Sequence, residues 1–147
     1  MAGESLRVAL ARHYVASGFE EPSVERRWVT FKVGFVPLAF PNSRARVRAV
    51  RLHDLHHLAT GYGTDLRGEG EQSAWELAAG CHHHWFAWGI NLFGAAVGFL
   101  VAPRRTVRAF RRGRRCTTLY DGEFHEALLD GSVKDLRLRL NLAASRA

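Results

Sequence analysis

The chain has 147 residues, 47% hydrophobic and 24% charged, and a formal net charge of +7. That size and balance suit one globular domain with a true core and exclude wholesale disorder. Cys81 and Cys116 form neither a disulfide framework nor a spaced pair of ligands, so a reduced, cytoplasmic setting is expected.

The N-terminal stretch MAGESLRVALARHYVASGFEE lacks a cationic start followed by an apolar segment and a cleavage site, so no export signal is expected. Leu6–Ala16 has the spacing of a short amphipathic helix. Trp28–Phe40 is rich in β-branched and aromatic residues, but Gly34 and Pro37 interrupt it. It reads as irregular or as a short extended segment. Pro41, Asn42 and Ser43 supply a stop and an N-cap, which predicts a helix from Arg44 to Thr60, closed by Gly61 and Gly63. A second helix starts near Gly68 and reaches Ala79, with a bend at Gly80.

Trp85–Ala102 is an apolar run broken only by Asn91. Its length touches the lower limit of a membrane span, roughly 17 residues. Its internal glycines and the polar flank His82–His84 favour a helix buried all round in a bundle. A third arrangement has it line an apolar cavity or dip into the membrane interface. Near the C-terminus, Ser132 and Asp135 resemble a capping box and open a helix carrying Leu136, Leu138, Leu140 and Leu142. The expected fold is all-α: a single-domain helical bundle over residues 1–147 with one highly apolar helix.

The charge has one address. Arg104–Arg115 holds seven arginines and no acid, and without those seven the basic and acidic residues balance at fourteen each. Arg104, Arg108, Arg111 and Arg115 recur at helical spacing. Such a stripe suits an anionic membrane surface or a phosphate-bearing ligand, and a solvated helix face reads the same way. Directly after an apolar run, a membrane surface is favoured over nucleic acid.

His53-Asp54-Leu55-His56-His57, with Glu69 further on, raises the sharper question. At about 100° per residue, His57 falls about 40° and Asp54 about 100° from His53. Val47, Val50 and Leu58 bracket Asp54 on the same side. A carboxylate on an apolar stripe needs a cation, a cluster of donors or a metal. Two histidines at i, i+4 can direct nitrogens at one ion, and Glu69 returns after a glycine-containing loop. Such mixed donors suit zinc, manganese or ferrous iron better than calcium. The spacing alone admits a metal site and a buried polar network equally. Gly61 and Gly63 make the turn, and His56 reads as a bystander. Glu76 and His83 follow Glu69 by one and two heptads and read as polar residues with a minor claim on the site. The His82–His84 triplet reads as a polar helix end rather than a second metal site.

These residues resemble the HDxxH-x11-E signature of the Coq-four-type coenzyme Q (ubiquinone) biosynthesis family, with His53, Asp54, His57 and Glu69 in the four signature positions. The likeness is strong over Arg46–Glu76, extends to Val133–Leu140 and is faint elsewhere. It implies an all-helical, peripherally membrane-associated protein that binds a divalent metal through those four residues. Zinc ranks first, with manganese, iron and magnesium as alternatives. It also implies a prenyl lipid or quinone precursor as ligand and head-group chemistry of the oxidative C1 decarboxylation type. The chain is shorter than the usual member, so the metal site transfers better than the chemistry.

His53–His57 also fits the HxxHH box of membrane di-iron enzymes, but those need several boxes and several spans. A non-catalytic, metal-stabilised lipid-binding or scaffold protein is the other reading. Nothing in the sequence excludes a homodimer.

Overall fold

The computed structural model describes residues 4–22, 25–33 and 35–142. Among these residues, six α-helices and a two-stranded hairpin form around one core. Helix α1 (Leu6–Ser17) starts at Ser5, whose hydroxyl accepts from the Val8 amide. Helix α2 (Arg44–Thr60) keeps the bounds its caps predict: Ser43 accepts from the Arg46 amide at 3.1 Å, and Gly61 closes it with φ of 79°. Helix α3 (Leu66–Ala79) begins two residues earlier than expected, because Asp65 caps it through the Gly68 amide, and it ends rather than bends at Gly80. Helices α4 (Trp85–Val101), α5 (Pro103–Gly113) and α6 (Val133–Arg139) follow, with two short 3-10 turns, Leu119–Asp121 and Glu126–Asp130, before α6. Ser132 caps α6 as predicted, but the helix ends before Leu140 and Leu142, which pack into the core from beyond it.

The all-α expectation is corrected by β1 (Trp28–Val33) and β2 (Val36–Pro41), which pair antiparallel with Trp28 opposite Pro41 and Val33 opposite Val36. Of the two interrupting residues, Gly34 lies outside the described residues and Pro37 is compatible with this hairpin. Pro37 stands opposite Lys32 in a ribbon of only two strands, where a missing N–H can face away from the partner.

The expectation of a highly apolar helix buried all round is also corrected. The buried residues of α4 are Ala87, Asn91, Ala95 and Gly98, all modest in size. Many of its large side chains point outward, with Leu100 84% and Trp85 67% exposed, and with Leu92, Phe93 and Phe99 exposed as well. The reason lies in α3. A Cβ on Gly70 or on Gly98 would overlap the other glycine's backbone, so the two helices touch along their main chains. Only small residues fit that seam, and the bulk goes to the other side. No helix among the described residues, α4 included, is long and apolar enough to cross a membrane.

Helix α5 packs on α3 through Thr106, Ala109 and Gly113. Arg105 makes a two-pronged ion pair with Glu71, and Arg112 donates to the Thr60 carbonyl. Arg104, Arg108, Arg111 and Arg115 remain on the exposed face. The centre of the domain is built from Leu52, Leu55, Trp75, Leu119, Tyr120 and Leu140.

Candidate metal centre

Helix α2 carries His53 and His57 one turn apart, so both imidazoles leave the same side. Glu69 sits in the first turn of α3, which the loop after Gly61 turns back toward α2. One donor atom from each of His53, His57 and Glu69 then lies within 4.8 Å of the others. The two Nε2 atoms are 3.1 Å apart. Glu69 Oε2 is 3.3 Å from Nε2 of His53, and its Oε1 is 3.4 Å from Nε2 of His57. Ligands held at about 2.0–2.1 Å from an ion stand about 3.3 Å apart on a tetrahedron and about 2.9 Å apart on an octahedron. The three separations match such edges.

The far nitrogen of each ring lies beside an oxygen acceptor. Nδ1 of His57 donates to the Tyr62 carbonyl at 3.0 Å. Nδ1 of His53 lies 2.8 Å from Glu76 Oε1, at ion-pair distance but outside the direction of a hydrogen bond. With its Nδ1 donating, a neutral His57 turns an Nε2 lone pair toward His53 Nε2, and a cation shared between the two rings would satisfy both. The electrostatics agree. Burial disfavours charge on His53, yet Glu76 and Glu69 overcome it and raise the His53 pKa well above the usual value. Burial would raise Glu69 too, but hydrogen bonds from His53 and His57 hold its carboxyl at about 2. In the metal-free chain a proton meets this demand. The donor set fits a divalent ion that would meet it more fully, with zinc, manganese or ferrous iron as the natural class.

Asp54 stands outside this triangle. It is buried, and its Oδ2 accepts from the Tyr14 hydroxyl of α1 at 2.8 Å. Burial pushes its pKa up to about 6. The partner this apolar-stripe carboxylate requires is thus supplied in part by a neighbouring helix.

Two residues rated low in the sequence are central to the packing. The Glu76 side chain is fully buried, as is that of His56. Glu76 Oε1 accepts from His56 Nδ1 at 2.8 Å and Gln72 Nε2 at 2.9 Å. Its Oε2 accepts from Asn91 Nδ2 at 2.6 Å and the Tyr120 hydroxyl at 2.7 Å. Burial raises a carboxyl pKa, but His53 and His56 outweigh it here and hold Glu76 ionised. His56 thus stays outside the metal triangle, as read, but anchors the buried network. Its Nε2 accepts from the Leu119 amide at 2.8 Å, which requires a neutral ring, and burial lowers its pKa accordingly. The heptad step from Glu69 was the one signal for Glu76. His13 had none: it stacks on His57 with ring centroids 5.8 Å apart, and its Nε2 is buried without a hydrogen-bond partner.

His53, Asp54 and Glu69 also line a cavity of about 790 Å³, whose walls include Trp28, Phe40, Phe86, Ile90, Phe93 and Val97. Helix α4 thus lines an apolar cavity, as one of the sequence readings allowed.

Comparison with protein-family models, with curated proteins and with solved structures finds no match to this chain, so the likeness to the coenzyme Q biosynthesis family rests on the motif residues alone.

Proposed function

We propose that this is a metal-dependent lipid-handling protein. His53, His57 and Glu69 hold a divalent ion, zinc first, at the wall of a cavity that takes a prenyl lipid or quinone precursor. The observation that carries this reading is the shared wall: His53 and Glu69 belong both to the metal triangle and to the lining of a largely apolar cavity with several aromatic residues. About 790 Å³ lies within the usual range for small-molecule sites, roughly 300–1,000 Å³.

A bound ion supplies Lewis acidity toward a carboxylate or a hydroxylated ring. The chain's own residues do the rest. Glu76 and the Tyr62 carbonyl orient the two imidazoles, Tyr14 and Asp54 offer a polar pair to a head group, and the aromatic wall excludes water. Docking at an anionic membrane surface is supported by the exposed apolar face of α4 beside Arg104, Arg108, Arg111 and Arg115. A non-catalytic, metal-stabilised lipid-binding or scaffold role is favoured by a different observation. The three ligands come from two helices, so the ion would clamp α2 to α3.

Metal analysis of dialysed protein with and without His57→Ala, followed by mass spectrometry of extracted lipids, tests the proposal. The expected result is about one tightly held divalent ion per chain, largely lost in the variant, with a prenyl lipid in the extract. Metal-free, equally folded protein in both forms would overturn the metal reading. Metal without a prenyl lipid would leave the clamp reading in its place.

A further inference from the structure

The turn Cys81–His84 joins α3 to α4 in a constrained shape. His82 has φ of 46°, uncommon outside glycine. The His84 amide donates to the Cys81 carbonyl at 3.0 Å, the Trp85 amide to the His83 carbonyl at 3.0 Å, and Trp88 Nε1 to the His82 carbonyl at 3.0 Å. So fixed, the His83 and His84 rings stack with centroids 4.5 Å apart and planes 29° apart. Two charged imidazoles would repel at that distance, and two neutral ones present lone pairs.

A carboxylate arrives from forty residues downstream. Glu123 follows the 3-10 turn at Leu119–Asp121, and its Oε1 lies 3.3 Å from His83 Nε2. Its other oxygen, Oε2, is held by Arg48 at 3.3 Å, which leaves Oε1 facing the histidines. Next to it, the Gly122 carbonyl accepts from His84 Nε2 at 2.9 Å, which fixes that ring's tautomer and leaves Nδ1 as its lone pair. A ring nitrogen from each histidine and one Glu123 oxygen lie within 4.8 Å of one another.

We propose that His83, His84 and Glu123 form a second, solvent-accessible site for a divalent transition-metal ion of the zinc or copper class. Two imidazoles and one carboxylate suit that class, and water completes the coordination. The site shares no residue with the His53 triangle and does not depend on the function proposed for it. It also has a structural consequence. An ion there would tie the α3–α4 turn to the segment before α6. That turn touches the buried network, since the His84 ring meets Tyr120 at 5.2 Å and the Tyr120 hydroxyl reaches Glu76.

Zinc titration of chelator-stripped protein tests this, with calorimetry for stoichiometry and imidazole proton NMR for location. The wild-type chain should take two equivalents, and the weaker one should move the His83 and His84 ring resonances. His83→Ala and Glu123→Ala should each take one. The His83 and Glu123 side chains are 60% and 54% exposed, so both variants keep the fold, which circular dichroism checks. His57→Ala should lose the tighter equivalent and keep the weaker, which separates failure of this site from failure of the buried one. A wild-type chain whose bound zinc leaves the His83 and His84 ring resonances unmoved overturns the proposal. So does a second equivalent that survives both His83→Ala and Glu123→Ala.

Discussion

Glu76→Gln changes almost no volume and removes one charge, at a point where four hydrogen bonds and a nearby imidazole converge. All four partners donate. The glutamine amide must turn its NH2 toward one pair of them, His56 with Gln72 or Asn91 with Tyr120, and either choice sets donor against donor. Hydrogen bonds to a charged group contribute about 1.5–3 kcal/mol each, and breaking a buried ionic contact typically costs about 3–5 kcal/mol. We therefore expect Glu76→Gln to lose about 3–5 kcal/mol in chemical denaturation with chelator present, a condition that removes any contribution from metal. Metal binding should suffer separately, because His53 loses the carboxylate behind its Nδ1. Losing such a partner costs about 10–100-fold in affinity. Tyr120→Phe, which removes one donor and leaves the charge, is the milder control: about 1–2 kcal/mol in stability and a smaller change in affinity. Zinc competition titrations and urea melts on both variants make the measurement. A Glu76→Gln chain that melts within about 0.5 kcal/mol of wild type and binds zinc within threefold would refute the buried-network argument.

Burial pushes the Cys81 thiol up to about 12, so at pH 8 about one in ten thousand is ionised, and the native chain should resist a thiol reagent that labels it at once when unfolded. Fast native labelling at Cys81 would show that the core opens there. Gly98→Ala forces apart two touching helix backbones and should cost about 1–3 kcal/mol, read as a lowered Tm. Arg104→Ser with Arg108→Ser should weaken flotation with anionic vesicles by about 2 kcal/mol, roughly thirtyfold, and leave the melting curve unchanged. Equal flotation of wild type and variant would remove the arginine stripe from the membrane proposal.

The parts of the site that lie on one helix were legible from spacing, because periodicity is a local rule. His53 and His57 at i, i+4 and the caps at Ser43 and Gly61 follow from one helix, and Glu69 returns through a short loop to the next. What periodicity does not carry is the partner from elsewhere in the chain. Asp54 was correctly read as a buried carboxylate in need of company, but Tyr14, which supplies part of it, lies forty residues upstream in a different helix. His56 looked spare because its two partners, Glu76 and the Leu119 amide, come from distant segments. Hydropathy misjudged α4 for another reason: it measures how much apolar surface a segment has, not which way that surface points. The Trp28–Phe40 segment was read through its breakers, Gly34 and Pro37, when its alternating β-branched and aromatic residues were the stronger signal.

The inverted helix α4 has a consequence for how the protein tolerates change. In an ordinary helix the large apolar positions are the intolerant ones and the small outward positions are free. Here a library screened for folding alone should find Ala87, Ala95 and Gly98 nearly immutable, while Trp85, Leu92 and Leu100 accept polar residues freely. Any selection against polar residues at those outer positions would therefore report not on the fold but on whatever that face meets in the cell.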